Sequence, residues 1–246
     1  MSVPENKTAI ITGASRGIGV TLAKRLAADG FNVVINYASS AAPAEELAET
    51  LKSQGHNAIA IKVDIARPDA VKALFDKTIA EFGGVDVIVN NAGVMTTTPI
   101  ADMDDATYDA MMDINVRGTF NMLREGAKHL RDHGRVINFS TTALHLKLPG
   151  YAVYNATKAA VEAMTGVFAK ELRGRQITVN AVAPGPVATE LFLSGKTDEQ
   201  IANFAKMPPL ERLGEPDDIA GVVSFLAGPD SGWVDGQTIR ANGGLA

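Results

Sequence analysis

The chain has 246 residues, of which 46% are hydrophobic and 21% charged, and this composition is typical of a globular protein that buries a sizeable core. It contains no cysteine, which excludes disulfides and thiolate metal sites, and its formal net charge of -5 argues against nucleic-acid binding through a basic surface. We expect a cytoplasmic protein with a small-molecule partner and no membrane partner, because residues 1–7 lack the apolar core of a signal peptide and no apolar run reaches membrane-spanning length.

Apolar, β-rich segments alternate along the chain with segments whose apolar residues have helical spacing. The predicted strands are 8–12, 33–36, 58–63, 85–90, 136–140 and 177–183. The predicted helices are 20–29, 45–53, 69–82, 108–131, 154–173 and 217–226. Nearly continuous apolar strands indicate helices on both sheet faces, so the pattern predicts one α/β domain, residues 1–246, with a doubly wound parallel sheet.

Residues 184–209 form the least regular part of the sequence. The segment opens with Pro184-Gly185-Pro186 and contains Phe192 and Leu193, which we expect to be exposed. We therefore predict a mobile flap over a substrate in this region.

The first predicted strand leads into the glycine-rich turn at 12–19, with Gly13, Ser15, Arg16, Gly17, Ile18 and Gly19 just before a helix. Glycines let the backbone approach a pyrophosphate closely, and the N–H groups and dipole at a helix start favour its negative charge. The spacing differs from the fingerprint with two residues between the last glycines, and such turns also arise for steric reasons alone.

Two further motifs follow, one after the fourth predicted strand and one at the start of the predicted helix 154–173. They are Asn90-Asn91-Ala92-Gly93 and Tyr154-Asn155-Ala156-Thr157-Lys158. With all three motifs, the chain resembles the short-chain dehydrogenase/reductase family over essentially its whole length, and within it 3-oxoacyl-acyl carrier protein reductases. The resemblance implies a single-domain Rossmann-type fold and a homotetramer built through helices 108–131 and 154–173.

The resemblance also implies the residues that bind the cofactor. Asn91, Ala92 and Gly93 would line it, Asp64 and Ile65 would lie beside the adenine, Tyr154 and Lys158 would be near the nicotinamide ribose, and Pro184, Gly185, Val187 and Thr189 would hold the nicotinamide. Two of these residues have a structural alternative. Asp64 could cap the helix that follows Pro68, and Thr189 could cap a segment that begins at Glu190.

The end of the second predicted strand bears on the choice of cofactor. It contains Asn36, Tyr37, Ala38, Ser39 and Ser40, with no carboxylate to repel a 2′-phosphate. Arg16 in the glycine turn can supply a cation for that phosphate, although it could also be a solvated surface charge. The sequence therefore favours NADP(H), with NAD(H) the alternative.

Tyr154 and Lys158 are four residues apart, so on a helix their side chains share one face. We expect the lysine ammonium to lower the phenol pKa, which makes Tyr154 the proton donor or acceptor. In the family a serine lies thirteen residues before the tyrosine and orients the substrate. That position is Thr141 here, and because side chains alternate along a strand we expect Thr141 rather than Ser140 to face Tyr154.

Asn115 matches the family's asparagine, which holds a water that links the lysine to solvent, although it could be a helix-surface amide. We thus predict an oxidoreductase that transfers a hydride between NADP(H) and a ketone or secondary alcohol, without a metal. A 3-oxoacyl thioester is one candidate substrate. An acidic acyl carrier protein would need a basic patch near the entrance, to which Arg131, Arg135, Arg173 and Arg175 could contribute. Asp132 interrupts this patch, so that partner stays undecided.

Six residues are predicted to form an apolar substrate pocket: Met95, Leu144, Leu146, Pro186, Phe192 and Met207. Of the histidines, His129 and His133 lie four apart on a predicted helix without a zinc-hydrolase glutamate, and His145 is expected to be a loop residue. Alternatives to the oxidoreductase are a non-catalytic NADP(H)-binding regulator and an epimerase that uses the cofactor transiently. A net change in nicotinamide absorbance separates the epimerase from the oxidoreductase.

Overall fold

A computed structural model describes residues 7–246, so the prediction made for segment 1–7 lies almost wholly outside the described residues. Seven strands form one parallel sheet in the order β3-β2-β1-β4-β5-β6-β7. They are β1 (Thr8–Ile11), β2 (Asn32–Tyr37), β3 (Ala58–Lys62), β4 (Val85–Asn90), β5 (Leu130–Phe139), β6 (Thr178–Pro184) and β7 (Thr238–Ala241). The chain order reverses between β1 and β4, and in such sheets ligands bind beyond the strand ends at the reversal.

Helices connect the strands and cover both faces of the sheet. They are α1 (Ile18–Ala28), α2 (Ala41–Ser53), α3 (Pro68–Phe82), α4 (Asp105–Met111), α5 (Thr119–His129), α6 (Ala143–Leu146), α7 (Ala152–Glu171), α8 (Glu190–Leu193), α9 (Asp198–Lys206) and α10 (Pro216–Ala227). Within residues 7–246, no helix is both long enough and apolar enough to span a membrane.

Two hydrophobic cores lie on opposite faces of the sheet. Apolar residues of α1, α2 and α10 pack on one face, and those of α3, α5 and α7 pack on the other. Strands β1, β2 and β4 are buried along their whole length, because helices cover both of their faces. The predicted doubly wound parallel sheet of a single Rossmann-type domain is confirmed.

The segment predicted as a helix over 108–131 is helical from Asp105 to His129, so the prediction is wrong in its last two residues and in the regularity of the helix. The helix is divided by a π-helical segment, Met112–Gly118, and ends at His129, where β5 begins. His133 therefore belongs to a strand, with a positive φ of 65°, and does not share a helix with His129. The Asn115 amide binds across to the backbone of Val94, and such tertiary contacts commonly accompany π-helical turns at functional sites.

Two other elements differ from the predictions. The edge strand β7 was not predicted, because it has only four residues and none of them is fully buried. The predicted irregular segment 184–209 contains the helices α8 and α9. A capping box between Thr197 and Gln200 begins α9, a signal that is readable in the sequence.

Candidate active site

A cavity of about 150 Å³ lies at the carboxyl ends of the central strands. Its wall contains many of the predicted residues, namely Ile18, Asn91, Gly93, Thr141, Tyr154, Lys158, Pro184, Gly185, Val187 and Thr189. The other predicted residues lie outside the cavity, mostly along the ends of β1 to β4. The fold thus brings the predicted nicotinamide end and the predicted catalytic residues to one place.

The glycine turn provides space and hydrogen-bond donors for an anion. Gly13 and Gly17 have positive φ values of 63° and 54°, which favour glycine. A Cβ atom on Gly19 would lie only 2.5 Å from the Gly13 carbonyl oxygen, so that position needs glycine. Helix α1 begins after Gly17 with neither a side-chain cap nor an acidic residue in its first turn. Its first N–H groups therefore suit a pyrophosphate.

The Asn91-Ala92-Gly93 segment is fastened to this turn. The Asn91 amide donates to the carbonyl oxygens of Thr12 at 2.9 Å and Gly13 at 3.1 Å, and the Ala92 N–H donates to the Thr12 hydroxyl at 3.0 Å. A Cβ atom at Gly93 would lie 3.3 Å from Asn115 Oδ1 and 3.4 Å from Lys158 Nζ. A glycine at this position leaves the lysine head accessible from the cavity.

The end of β2 differs in part from its prediction. Asn36 is buried and its amide donates to the carbonyl oxygens of Ile61 and Val63, so its side chain serves the sheet. Tyr37 is buried as well, and its hydroxyl donates to Glu45 of α2 at 3.3 Å, which places a carboxylate near this strand end. The sequence pattern missed this carboxylate because it lies eight residues away. Two residues that remain exposed there are Ala38 and Ser39.

The two residues with a structural alternative differ in outcome, because Asp64 does not cap a helix and Thr189 does. Asp64 is exposed and accepts from the Ala66 N–H in a local turn, while Arg67 occupies the N-cap of α3. Ile65 is buried, and a Cβ atom on Gly118 would collide with its side chain. Thr189 is the N-cap of α8 as well as part of the cavity wall.

The two polar residues of the glycine turn are accessible. Ser15 is partly exposed and Arg16 is exposed, and Arg16 forms no ion pair with the carboxylates of residues 7–246.

Three hydrogen bonds tie the end of β5 to α7. Asn138 donates to Thr165 Oγ1 at 2.8 Å, Lys158 Nζ donates to the Phe139 carbonyl oxygen at 2.9 Å, and the Ser140 hydroxyl donates to Glu162 Oε1 at 2.5 Å. The last two residues of β5 and the residue that follows them thus each contact a different turn of α7. These contacts fix the strand end against the helix that carries Tyr154.

Thr141 follows these three residues and faces Tyr154. Its oxygen accepts from the Ala143 N–H at 3.2 Å, which leaves its proton available, and its hydroxyl acts as a donor that lowers the Tyr154 pKa. The Thr141 and Tyr154 hydroxyls are not hydrogen-bonded to each other among the described residues. A substrate oxygen could therefore accept from both. Ser140 is instead committed to Glu162.

The expected fall in the Tyr154 pKa is not what the structure shows. Part of the residue's surface borders the cavity, yet the phenol lies deep among protein atoms, and burial raises its pKa to about 12. Burial also lowers the pKa of Lys158 to about 8. Lys158 Nζ lies 5.9 Å from the Tyr154 ring centroid and donates to the Phe139 carbonyl oxygen.

Asn115 is fully buried rather than on a helix surface. Its Oδ1 accepts from the Val94 N–H and its Nδ2 donates to the Val94 carbonyl oxygen, both at 2.9 Å. The same Nδ2 donates to the Thr157 hydroxyl at 3.0 Å, next to Lys158 in sequence. Asn115 therefore positions the β4 loop against the start of α7.

The outer wall of the cavity is largely apolar. Four of the six predicted pocket residues line it, and the exceptions are Leu144 and Met207, which lie outside. The apolar residues that the sequence did not indicate are Val94, Leu148, Leu191 and Phe204. The rings of Phe192 and Phe204 meet edge to face, with centroids 5.2 Å apart, so Phe192 packs in the wall. Phe192 and Leu193 are half-buried, whereas the sequence predicted both to be exposed. His145, in α6, contacts Arg240 at 2.9 Å and does not line the cavity.

Comparisons with known proteins agree with this arrangement. The profile of the family described as enoyl-(acyl carrier protein) reductase matches residues 13–246. A short-chain type dehydrogenase/reductase of Picea abies is 43% identical over 97% of this chain and 92% of its own length. A 3-oxoacyl-[acyl-carrier-protein] reductase of Staphylococcus epidermidis is 39% identical over 98% of this chain and 99% of its own length.

A solved structure extends the likeness to three dimensions. The short-chain dehydrogenase of Burkholderia cenocepacia in complex with NADP is 35% identical, covers 98% of each chain and superposes with a TM-score of 0.92. Fold and sequence agree over nearly the whole chain. The protein therefore belongs to the short-chain dehydrogenase/reductase family of oxidoreductases.

Proposed function

We propose that this protein is an NADP(H)-dependent oxidoreductase that interconverts ketones and secondary alcohols. The observation that carries the proposal is the meeting of Thr141, Tyr154 and Lys158 in one cavity, beside the nicotinamide-end residues and next to an uncapped helix start. A regulator that only binds a nucleotide does not need this set of side chains, so we favour the enzyme over the regulatory alternative.

The residues around the glycine turn support NADP(H) over NAD(H). The exposed Arg16 offers a guanidinium for a 2′-phosphate, and the strand end at Ala38 and Ser39 carries no carboxylate of its own. Glu45 lies near that end, but it accepts the hydrogen bond of Tyr37. The Burkholderia cenocepacia relative is described in complex with NADP.

Each site residue then has a distinct chemical role. NADPH supplies the hydride when it is bound. Thr141 and Tyr154 donate hydrogen bonds to the ketone oxygen, which stabilises the negative charge that develops there. Tyr154 keeps its proton at neutral pH because its pKa is about 12, and it yields that proton as the oxygen becomes basic. Lys158, with a pKa of about 8, can accept or return a proton close by.

The location of the arginines favours a free ketone over a carrier-bound thioester. An acidic carrier protein would need a basic patch near the cavity entrance. Arg131 is the second residue of β5 and pairs with Asp86 at 3.3 Å, and Arg135 lies beside Thr178, the first residue of β6, so both are far from the carboxyl ends of the strands. Arg175 also precedes its strand and pairs with Asp132 at 2.9 Å. A 3-oxoacyl thioester stays the alternative substrate.

We also propose association into a homotetramer through α4, α5 and α7. These helices expose large apolar side chains, and Tyr108, Phe120 and Val167 are 44%, 47% and 57% exposed. The proposal is consistent with the family resemblance.

The proposed activity is tested by ketone reduction, measured through the absorbance of the reduced nicotinamide. Tyr154→Phe should lower kcat by about 10³ while NADPH still binds, because only the proton donor is lost. Ser53→Ala removes a hydroxyl from an exposed position at the end of α2, outside the cavity, and should retain activity. In the same assay, kcat/KM should be higher with NADPH than with NADH. Full turnover by Tyr154→Phe contradicts the mechanism, and a tenfold preference for NADH contradicts the cofactor choice.

A further inference from the structure

The polar side chains of the cavity wall are mostly engaged within the protein. Thr142 donates to the Ala183 carbonyl oxygen at 3.1 Å, and Ser140 donates to Glu162. Asn91 binds the glycine turn, and Thr189 caps α8. None of these side chains is free to select a substrate through its own donor.

Tyr151 is the exception among the polar wall residues that carry no proposed catalytic role. Its ring meets that of Tyr154 edge to face, with centroids 6.4 Å apart, and its hydroxyl has no hydrogen-bond partner in the part of the chain that the structure describes. Burial raises its pKa, so it is a neutral donor at physiological pH.

The backbone holds Tyr151 in a defined place. Its N–H donates to the Leu148 carbonyl oxygen at 3.2 Å, and its own carbonyl oxygen accepts from the Asn155 N–H at 2.8 Å. The residue is the N-cap of α7, three residues before Tyr154. The unused phenol is therefore positioned by the same helix as the reactive one.

The surrounding wall limits what this hydroxyl can meet. The side chains of Met95, Leu146, Leu148, Leu191, Phe192 and Phe204 provide apolar surface. Among the described lining residues, Lys158 is the only charged one, and its ammonium is bound to Phe139. An anionic substrate group against this apolar surface would lose its hydration, and the one lining ammonium lies with the catalytic residues and not with the apolar side chains, so its burial there is strongly unfavourable. The cavity thus suits an uncharged substrate.

We propose that Tyr151 is a specificity-determining residue whose hydroxyl binds a second oxygen of an uncharged, otherwise apolar ketone. This inference rests on the proposed function, because it takes the ketone oxygen to lie at Thr141 and Tyr154. The two rings are neighbours, with centroids 6.4 Å apart, so one small substrate can contact both residues.

The test uses two ketones that differ in one atom. In 4-phenoxybutan-2-one an ether oxygen replaces one methylene of 5-phenylpentan-2-one, and neither ketone is charged. The ratio of their kcat/KM values should fall roughly fivefold in Tyr151→Phe relative to wild type, since one neutral hydrogen bond has that magnitude. Ser53→Ala, which removes an exposed hydroxyl at the end of α2 outside the cavity, should keep the wild-type ratio.

Binding of the two corresponding alcohols to the enzyme with NADPH, measured by calorimetry, should show the same ratio and does not depend on turnover. Equal ratios in wild type and Tyr151→Phe, in turnover and in binding, overturn the role of Tyr151. Tighter binding of a matched anionic ketone, a 4-(carboxyphenoxy)butan-2-one, overturns the uncharged substrate class. If NADPH and the alcohols bind with the expected ratio but no ketone is reduced, the proposed function fails while this inference stands.

Discussion

The end of β5 with α7, and the segment 184–209 with α8 and α9, form two sides of the same cavity in different ways. Helix α7 buries five side chains, among them Lys158, and receives hydrogen bonds from Asn138 and Ser140 of the neighbouring strand end. Helices α8 and α9 contain no buried residue, and their caps are formed by their own neighbours Thr189 and Thr197.

This difference separates reaction from selection. Groups that take part in chemistry need positions accurate to a fraction of an ångström, and a strand end that is hydrogen-bonded to a buried helix can supply them. A wall with few buried contacts opens at a lower free-energy cost and can admit and release substrate. Changes in the first region should therefore affect kcat, and changes in the second should mainly affect KM.

Among the changes that test this comparison of the two regions, the largest effect is expected for Thr141→Ala, which removes the hydroxyl that faces Tyr154. We expect kcat to fall by about 10², and Thr141→Ser to restore most of it. Ser140→Ala breaks only the bond to Glu162, so it should cost about 1 kcal/mol of stability and less than tenfold in kcat. If Ser140→Ala abolishes turnover while Thr141→Ala leaves it nearly intact, the assignment is wrong.

An intermediate effect is expected for the pH dependence of stability through Lys158. Its pKa is about 8 in the folded protein and 10.5 ordinarily, so between these values the unfolded chain holds the proton and the folded chain does not. The free energy of unfolding should thus rise with pH in this window, by roughly 2 kcal/mol between pH 7 and pH 10, relative to Lys158→Met. Denaturant titrations of both proteins measure the difference. Parallel curves would show that the lysine is not penalised by burial.

The smallest effect is expected for Phe204→Ala in α9. Loss of the edge-to-face contact with Phe192 should raise KM for apolar ketones roughly fivefold and change kcat little. Phe225→Ala, on α10 and outside the cavity, serves as the control. A fall in kcat as large as that of Thr141→Ala would remove the distinction between the two regions.

The same contrast explains how much could be predicted from the sequence. Central strands are read from apolar runs because helices bury them on both faces, and the motif spacing places Tyr154, Lys158 and the glycine turn correctly at one sheet edge. The division of 108–131 was not readable, because it accompanies a contact between Asn115 and Val94 that is distant in sequence.

Two electrostatic features also escaped the pattern. The raised pKa of Tyr154 depends on burial, which residue spacing does not reveal. Glu45 reaches Tyr37 only once α2 is packed against the sheet. By contrast, the helix that carries Phe204 could have been found from the Thr197 and Gln200 capping pair.

The start of α1 has a consequence for how the protein persists in a cell. Because Gly17 has no side chain and the first turn has no acidic residue, α1 itself supplies no anion to its own N-terminal end. A dinucleotide that binds there at a hundred times its Kd would stabilise the fold by about 2.7 kcal/mol. The melting temperature, and with it the resistance to proteolysis, would then track the nucleotide supply, which makes the cofactor a folding ligand as well as a reactant.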